Sequence, residues 1–296
     1  MATATFRIWR GDAQGGSFAD YPTEVAPGMV VLDAVHRIQA EQAPDLAVRW
    51  NCKAGKCGSC SAEVNGLPRL MCMTRLSDLP LSGPVTLRPM KTFPIVRDLV
   101  TDVSWNYRVK RKIKEFKPRP PDAPDGSWRM AQEDIERVQE FRKCIECFLC
   151  QDVCHVLRNH ETEQPFIGPR FLVRSAGLEM HPIDTADRTA HLKDEGGIGY
   201  CNITKCCTEV CPEHIKITDN AIIPLKERVA DKYYDPIQMA WRKLTGKGSA
   251  DGGQADSGAP VFPGRPERTA PADTETAGKT APAPPAGDAS TNGDPD

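Results

Sequence analysis

Apolar and polar positions alternate in short runs along the first hundred residues, and the period switches from strand-like to helical and back. Residues 3–10 alternate and predict a strand, with residues 19–25 as its partner. Pro27-Gly28 breaks the pattern. VVLDAVHRIQA then predicts a helix, with Val31, Leu32, Val35 and Ile38 on one face. Short strands are expected at residues 61–64, 69–73 and 85–88. KPRPPDAPDG, residues 117–126, is a proline-rich linker and the expected domain boundary. Beyond it the period is helical. MAQEDIERVQEF places Ile135, Val138 and Phe141 on one face. Thr218 is positioned to cap a helix over NAIIPLKERVADKYY, with Ile222, Leu225 and Val229 as its stripe and Pro224 near its start. Residues 159–200 read as helix-poor. From about Gly246 the chain turns to Gly, Ala, Pro, Asp and Thr, too few large apolar side chains to offset ordering, and a disordered tail is expected.

Composition changes this picture mainly through cysteine. The chain has 296 residues, a net charge of −2 and 12 cysteines. Its near-neutral balance gives no footprint for nucleic acid. No run of 18 apolar residues is present, so a membrane contact would come from another subunit. The opening MATATFRIWR has no apolar signal region and no twin-arginine leader, so the expected compartment is a reducing cytosol, which disfavours six disulfides.

The cysteines fall in three sets. Cys52, Cys57, Cys60 and Cys72 lie in NCKAGKCGSC…RLMC, the C-x4-C-x2-C…C spacing of a [2Fe–2S] centre. Gly55 and Gly58 suit a loop that needs positive φ and close backbone approach. Cys144, Cys147, Cys150 and Cys154 lie in CIECFLCQDVC, the C-x2-C-x2-C-x3-C run of a cubane cluster. Cys201, Cys206, Cys207 and Cys211 lie in CNITKCCTEVCP. Zinc also uses C-x2-C pairs, but as separated pairs, and it does not account for C-x4-C-x2-C.

In two-cluster ferredoxins the fourth cysteine of each run ligates the other cluster. Cys144, Cys147 and Cys150 then share a [4Fe–4S] centre with Cys211, and Cys154 crosses to Cys201 and Cys207. Thr204 stands where a full run would place its second cysteine, which leaves three thiolates and suits [3Fe–4S]. Cys206 is the alternative fourth ligand. Helical neighbours diverge by about 100°, which favours a buried thiol beside the site. His155 reads as a hydrogen-bond donor to sulfur or backbone, with proton delivery as the rival role. RVKRKIKEFK, residues 108–117, reads as a solvated face or a docking patch for acidic partners or headgroups. The remaining histidines show no metal spacing, and no phosphate loop or nucleophile triad is present.

Together RWNCKAGKCGSC, RLMCMT, FRKCIECFLC, PFIGPR and CCTEVCPEHIKITDNAI give residues of about 3 to 235 a resemblance to the iron–sulfur subunit of succinate dehydrogenase and fumarate reductase, with wording nearest the actinobacterial type. The resemblance implies an α+β chain. A β-grasp, plant-type ferredoxin domain (1–116) and the linker (117–126) precede an all-α, bacterial-ferredoxin-like two-cluster domain (127–245) and the tail (246–296). It also implies an FAD-bearing flavoprotein subunit that converts succinate to fumarate in the tricarboxylic acid cycle. Electrons would pass through [2Fe–2S], [4Fe–4S] and [3Fe–4S] to quinone at a membrane-anchor subunit on the cytoplasmic face. The family cluster ligands match the sets above. This sequence departs where many members carry proline and tryptophans after the residue matching Cys154, and it has Asn202 where a histidine often stands. Quinone contacts therefore do not carry over, which leaves a menaquinone pocket or one built mainly by the anchor.

Overall fold

The computed structural model describes residues 2–159 and 165–237, with Ala240 and Leu244. The expected disordered tail and His160 lie outside the described residues. The N-terminal half is a mixed sheet. β1 (Ala2–Asp12) pairs antiparallel with β2 (Gly15–Val25), a register from Ala2↔Val25 to Asp12↔Gly15. Alternation on β1 buries Ala4, Phe6 and Ile8. α1 (Val31–Glu41) follows and buries Val31, Leu32, Val35 and Ile38, as its periodicity predicts. The Asp33 carboxylate accepts the Val30 N–H at 3.1 Å at its first turn.

β3 (Ser61–Val64), β4 (Leu67–Leu70), β5 (Val85–Arg88), β6 (Ile95–Arg97) and β7 (Val100–Thr101) complete the sheet in the order β4-β3-β5-β1-β6-β7, with β2 on β1. β5 runs parallel to β1. The strand expected at 69–73 ends at Leu70, because residues 71–73 turn to bring Cys72 back beside Cys60.

The C-terminal half is helical, with no strand among its described residues. α2 (Ser104–Lys112) leads into the linker, and α3 (Gln132–Gln139) buries Val138. α4 (Leu149–Val153) and α5 (His155–Asn159) are short. Residues 159–200 are not helix-poor: α6 (Pro169–Glu179) and α7 (Thr189–Lys193) lie there. Pro169 at the first turn presets φ, and Phe171, Leu172 and Ala176 give α6 a buried stripe. Gly177 is tolerated within it because an added Cβ would meet the Phe141 side chain at 3.3 Å. α8 (Cys206–Glu209) is one turn long. α9 (Ile223–Tyr234) is preceded by a π-helical turn, Ile217–Ile222.

Thr218 does not cap that helix. It lies inside the π turn, 1% exposed, where its hydroxyl accepts from the Thr208 hydroxyl at 3.2 Å. The start of the proline-rich segment is tied down: Arg119 N–H donates to the Ile183 carbonyl, and the Lys117 carbonyl accepts from Thr185. Buried Arg188 donates to the carbonyls of Lys114, Glu115 and Ala186 and to the Asp184 carboxylate.

Two cores result, and they exchange members. Met90, Phe93, Val103, Val109 and Ile113 belong to the helical core. Cys147 and Leu149 belong to the core under the sheet.

Candidate iron–sulfur sites

All twelve cysteines are free thiols. In the first set, backbone donors converge on sulfur. The N–H groups of Ala54 and Lys56 point at Cys52 Sγ (3.4 and 3.3 Å), that of Gly55 at Cys72 Sγ (3.3 Å) and that of Cys72 at Cys60 Sγ (3.4 Å). Lys53, Gly55 and Gly58 hold φ of 56°, 68° and 68°, which lets the loop turn its amides inward. Burial acts against ionisation of Cys57, but hydrogen bonds from Ser59 and Cys52 prevail and lower its thiol to about 6. Burial pushes Cys60 up to about 12. Cys52 is exposed, and Trp50 and Met73 beside it are also exposed, so this site reaches the surface.

Cys144, Cys147, Cys150 and Cys211 line one cavity with Phe148, Arg170 and Ile217. Burial raises Cys147 to about 12 and Cys150 well above its usual value. Glu146 and Phe148 lie between the cysteines at φ of 57° and 62°. Glu146 is held by Lys110 and Arg170, each at 2.6 Å, and these cations keep its carboxyl low despite burial. Neither the left-handed residues nor Arg170 were singled out from the sequence. The PFIGPR segment held the signal for Arg170, a basic residue in an otherwise apolar stretch.

Cys154, Cys201 and Cys207, of the third site, line another cavity with His155, Thr204, Thr218 and Cys206. Burial raises Cys154 to about 12 and Cys207 to about 11. Cys206 lies beside the third set, as expected, but is not fully buried. It is half-buried, lines this cavity beside Cys207 and lies 3.4 Å from the Thr204 hydroxyl. α8 is a single turn that opens from Lys205 at φ 61°. His155 Nδ1 lies 3.5 Å from the Thr204 hydroxyl, where a sulfur or backbone partner was expected.

The donor sets suit polynuclear iron–sulfur groups. Cysteines of the second and third sites line cavities, and two buried nitrogens on lining residues, Arg170 Nε and His155 Nε2, have no partner of their own. Iron binds cysteine as thiolate, so loading these sites is coupled to proton release.

Known proteins give the same order of parts. Residues 5–107 match a "2Fe-2S iron-sulfur cluster binding domain" and residues 140–215 a "4Fe-4S dicluster domain". The chain is 31% identical over 203 residues to the fumarate reductase iron–sulfur subunit of Mycobacterium tuberculosis, which covers 67% of this chain and 81% of that one. It is 31% identical over 234 residues to the succinate dehydrogenase iron–sulfur subunit of Bacillus subtilis, covering 73% and 88%. A chain of the Mycobacterium smegmatis Sdh1 complex in the apo form superposes with a TM-score of 0.76 at 66% identity, covering 79% of this chain and 98% of that one. With its domain order, its gathered thiols and these relatives, the chain belongs to the family of iron–sulfur subunits of succinate dehydrogenase and fumarate reductase, the electron-relay components of those oxidoreductases.

Proposed function

We propose that this chain carries single electrons between an FAD-containing flavoprotein subunit, where succinate and fumarate interconvert, and a quinone at a membrane-anchor subunit. What supports this is the exchange of cysteines between the second and third cavities. Cys211 of the third run lines the second cavity, and Cys154 of the second run lines the third. Such crossing holds two redox groups side by side.

In this reading Cys52, Cys57, Cys60 and Cys72 hold [2Fe–2S]. Cys144, Cys147, Cys150 and Cys211 hold [4Fe–4S], and Cys154, Cys201 and Cys207 hold [3Fe–4S]. When bound, such clusters accept and release electrons singly. The chain's own residues set how readily. Loop amides donate to the ligand sulfurs, Arg170 brings positive charge to the second cavity, and buried Phe148 and Ile217 exclude water there. The exposed rim of Trp50, Cys52 and Met73 supports entry from the flavoprotein, and exposed Ile203 on the third cavity supports exit toward quinone. The departures after Cys154 support menaquinone or an anchor-built pocket.

Among the described residues no helix is long and apolar enough to cross a membrane. That supports a peripheral subunit, which we place on the cytoplasmic face. The helix-crossed mixed sheet with β1 parallel to β5 supports the β-grasp, plant-type ferredoxin reading, and the strand-free second half supports the all-α, bacterial-ferredoxin-like reading. We divide the chain into 1–116, the linker 117–126, 127–245 and the tail 246–296.

A second reading has a specific observation behind it: Cys206 lines the third cavity and would make that site a cubane. Iron content and electron paramagnetic resonance of the oxidised complex decide. About nine iron atoms per chain and an oxidised three-iron signal are expected, against about ten and silence for a second cubane. Cys206→Ser should leave the signal unchanged, and Thr204→Cys should remove it. Membranes carrying the complex should reduce quinone with succinate; their failure to do so when fully loaded would refute the proposal.

A further inference from the structure

We propose that Gly58, Ser61 and Cys147 form a contact that fixes the separation of the first and second iron–sulfur sites, and thereby sets electron transfer between them. This inference rests on the electron-relay reading above. Gly58 lies between ligands Cys57 and Cys60, with φ 68°. A Cβ added there would meet Cys147 Cα at 2.6 Å, its Cβ at 2.9 Å and its N at 3.0 Å. The backbone of one site's loop therefore touches the backbone of the other's, with no room for a side chain between.

The Ser61 hydroxyl, one residue beyond Cys60, closes the contact. Its Oγ is 2.8 Å from the Cys147 carbonyl and 3.0 Å from the Gly58 carbonyl, so one proton is shared between acceptors from the two loops. Ser61 is 6% exposed, so water does not compete for that proton. The contact is anchored on the far side, because Cys147 and Leu149 are embedded in the core beneath the sheet while their neighbours Phe148 and Cys150 belong to the helical core. Two residues further along β3, Arg158 bridges Glu63 and Asp152 of α4. Two linkages thus clamp β3 to the second cysteine run.

Tunnelling through protein falls roughly exponentially with separation, so a contact that fixes separation fixes rate. In the step concerned, one electron leaves the group on Cys52, Cys57, Cys60 and Cys72, which is oxidised by one. It enters the group on Cys144, Cys147, Cys150 and Cys211, which is reduced by one. No bond breaks and no proton moves. Gly58 and Ser61 are positioning residues, since each acts through cysteines it does not replace.

The test uses the fully loaded complex and its Gly58→Ala and Ser61→Ala variants. The comparison is made between preparations whose iron content equals that of the wild type, since Gly58 itself lies in the loop of the first site. The spin–spin interaction between the first and second sites in dithionite-reduced complex should weaken, and freeze-quenched transfer from first to second should slow several-fold, more in Gly58→Ala than in Ser61→Ala. A residue that served folding alone would change thermal stability without moving the interaction. Unchanged interaction and rate in a loaded Gly58→Ala complex overturn the proposal. Should Gly58→Ala fail to load, an unchanged interaction in Ser61→Ala overturns it instead. A wild-type complex lacking two interacting iron–sulfur signals would overturn the relay reading itself before any variant is compared.

Discussion

Arg158→Met keeps most of the side-chain bulk and removes the charge at the seam. The guanidinium lies between two carboxylates whose side chains are fully buried, Glu63 and Asp152, and its Nε donates to the Asp152 carbonyl. Asp152 also accepts the Thr92 N–H at 3.0 Å, while Lys91 stands 4.0 Å from Glu63. Burial, and then the Asp152 charge, pushes the Glu63 carboxyl up to about 7, with Arg158 opposing the rise. Burial raises Asp152 as well. A carboxyl raised in the folded state stabilises the fold fully below its unfolded value of 4.5, and that contribution is lost as pH climbs through about 7. The shift corresponds to about 3 kcal/mol against ionised Glu63 in the native protein.

Removing Arg158 moves the carboxyl higher still and extends the loss to more alkaline pH. At pH 8.5 the variant should open about 3–5 kcal/mol more readily, the cost of leaving buried charge unpaired. At pH 6, with Glu63 protonated, the deficit should shrink to about 1–2 kcal/mol for the lost hydrogen bonds. Hydrogen exchange of the β3 and α4 amides in the loaded protein, corrected for intrinsic rates, reads this opening directly. Glu63→Gln, which still accepts from Arg158 but cannot ionise, should flatten the pH dependence. A deficit equal at both pH values, or below about 1 kcal/mol at pH 8.5 as for a solvent-screened pair, would refute the reasoning.

Cys211→Ser should abolish the second cluster and destabilise the helical half while the sheet half stays folded, because metal binding there is folding energy; circular dichroism and iron content check this. Gly168→Ala should cost about 2–5 kcal/mol, since its φ is 81° and the new Cβ would lie 2.1 Å from Gln151 Oε1; loss of cluster absorbance on heating would occur at a lower temperature. Arg188→Met should cost about 3–5 kcal/mol by leaving Asp184 buried without its partner, and native proteolysis near residues 114–119 should accelerate.

The cysteine spacings, read alone, determined the chemistry. Thiolate number and spacing are local constraints, and a loop that must wrap an inorganic group writes them into consecutive residues. Alternation likewise marked β1, and the Val31–Ile38 stripe marked α1, because each side chain's face follows directly from backbone period. Tertiary structure decided what several segments share. α6 was missed because Gly168, Pro169 and Gly177 interrupt its pattern, and its helix is recovered by packing against Phe141 and its neighbours. Thr218 was misplaced because its hydroxyl partner, Thr208, comes from another turn. Cys206 and Cys207 line the third cavity together, a shared placement that a helical wheel does not give. The seam itself could not be read from either half: Gly58 touches Cys147 and Glu63 meets Arg158 across nearly a hundred residues, and such contacts arise only once two cores close against each other.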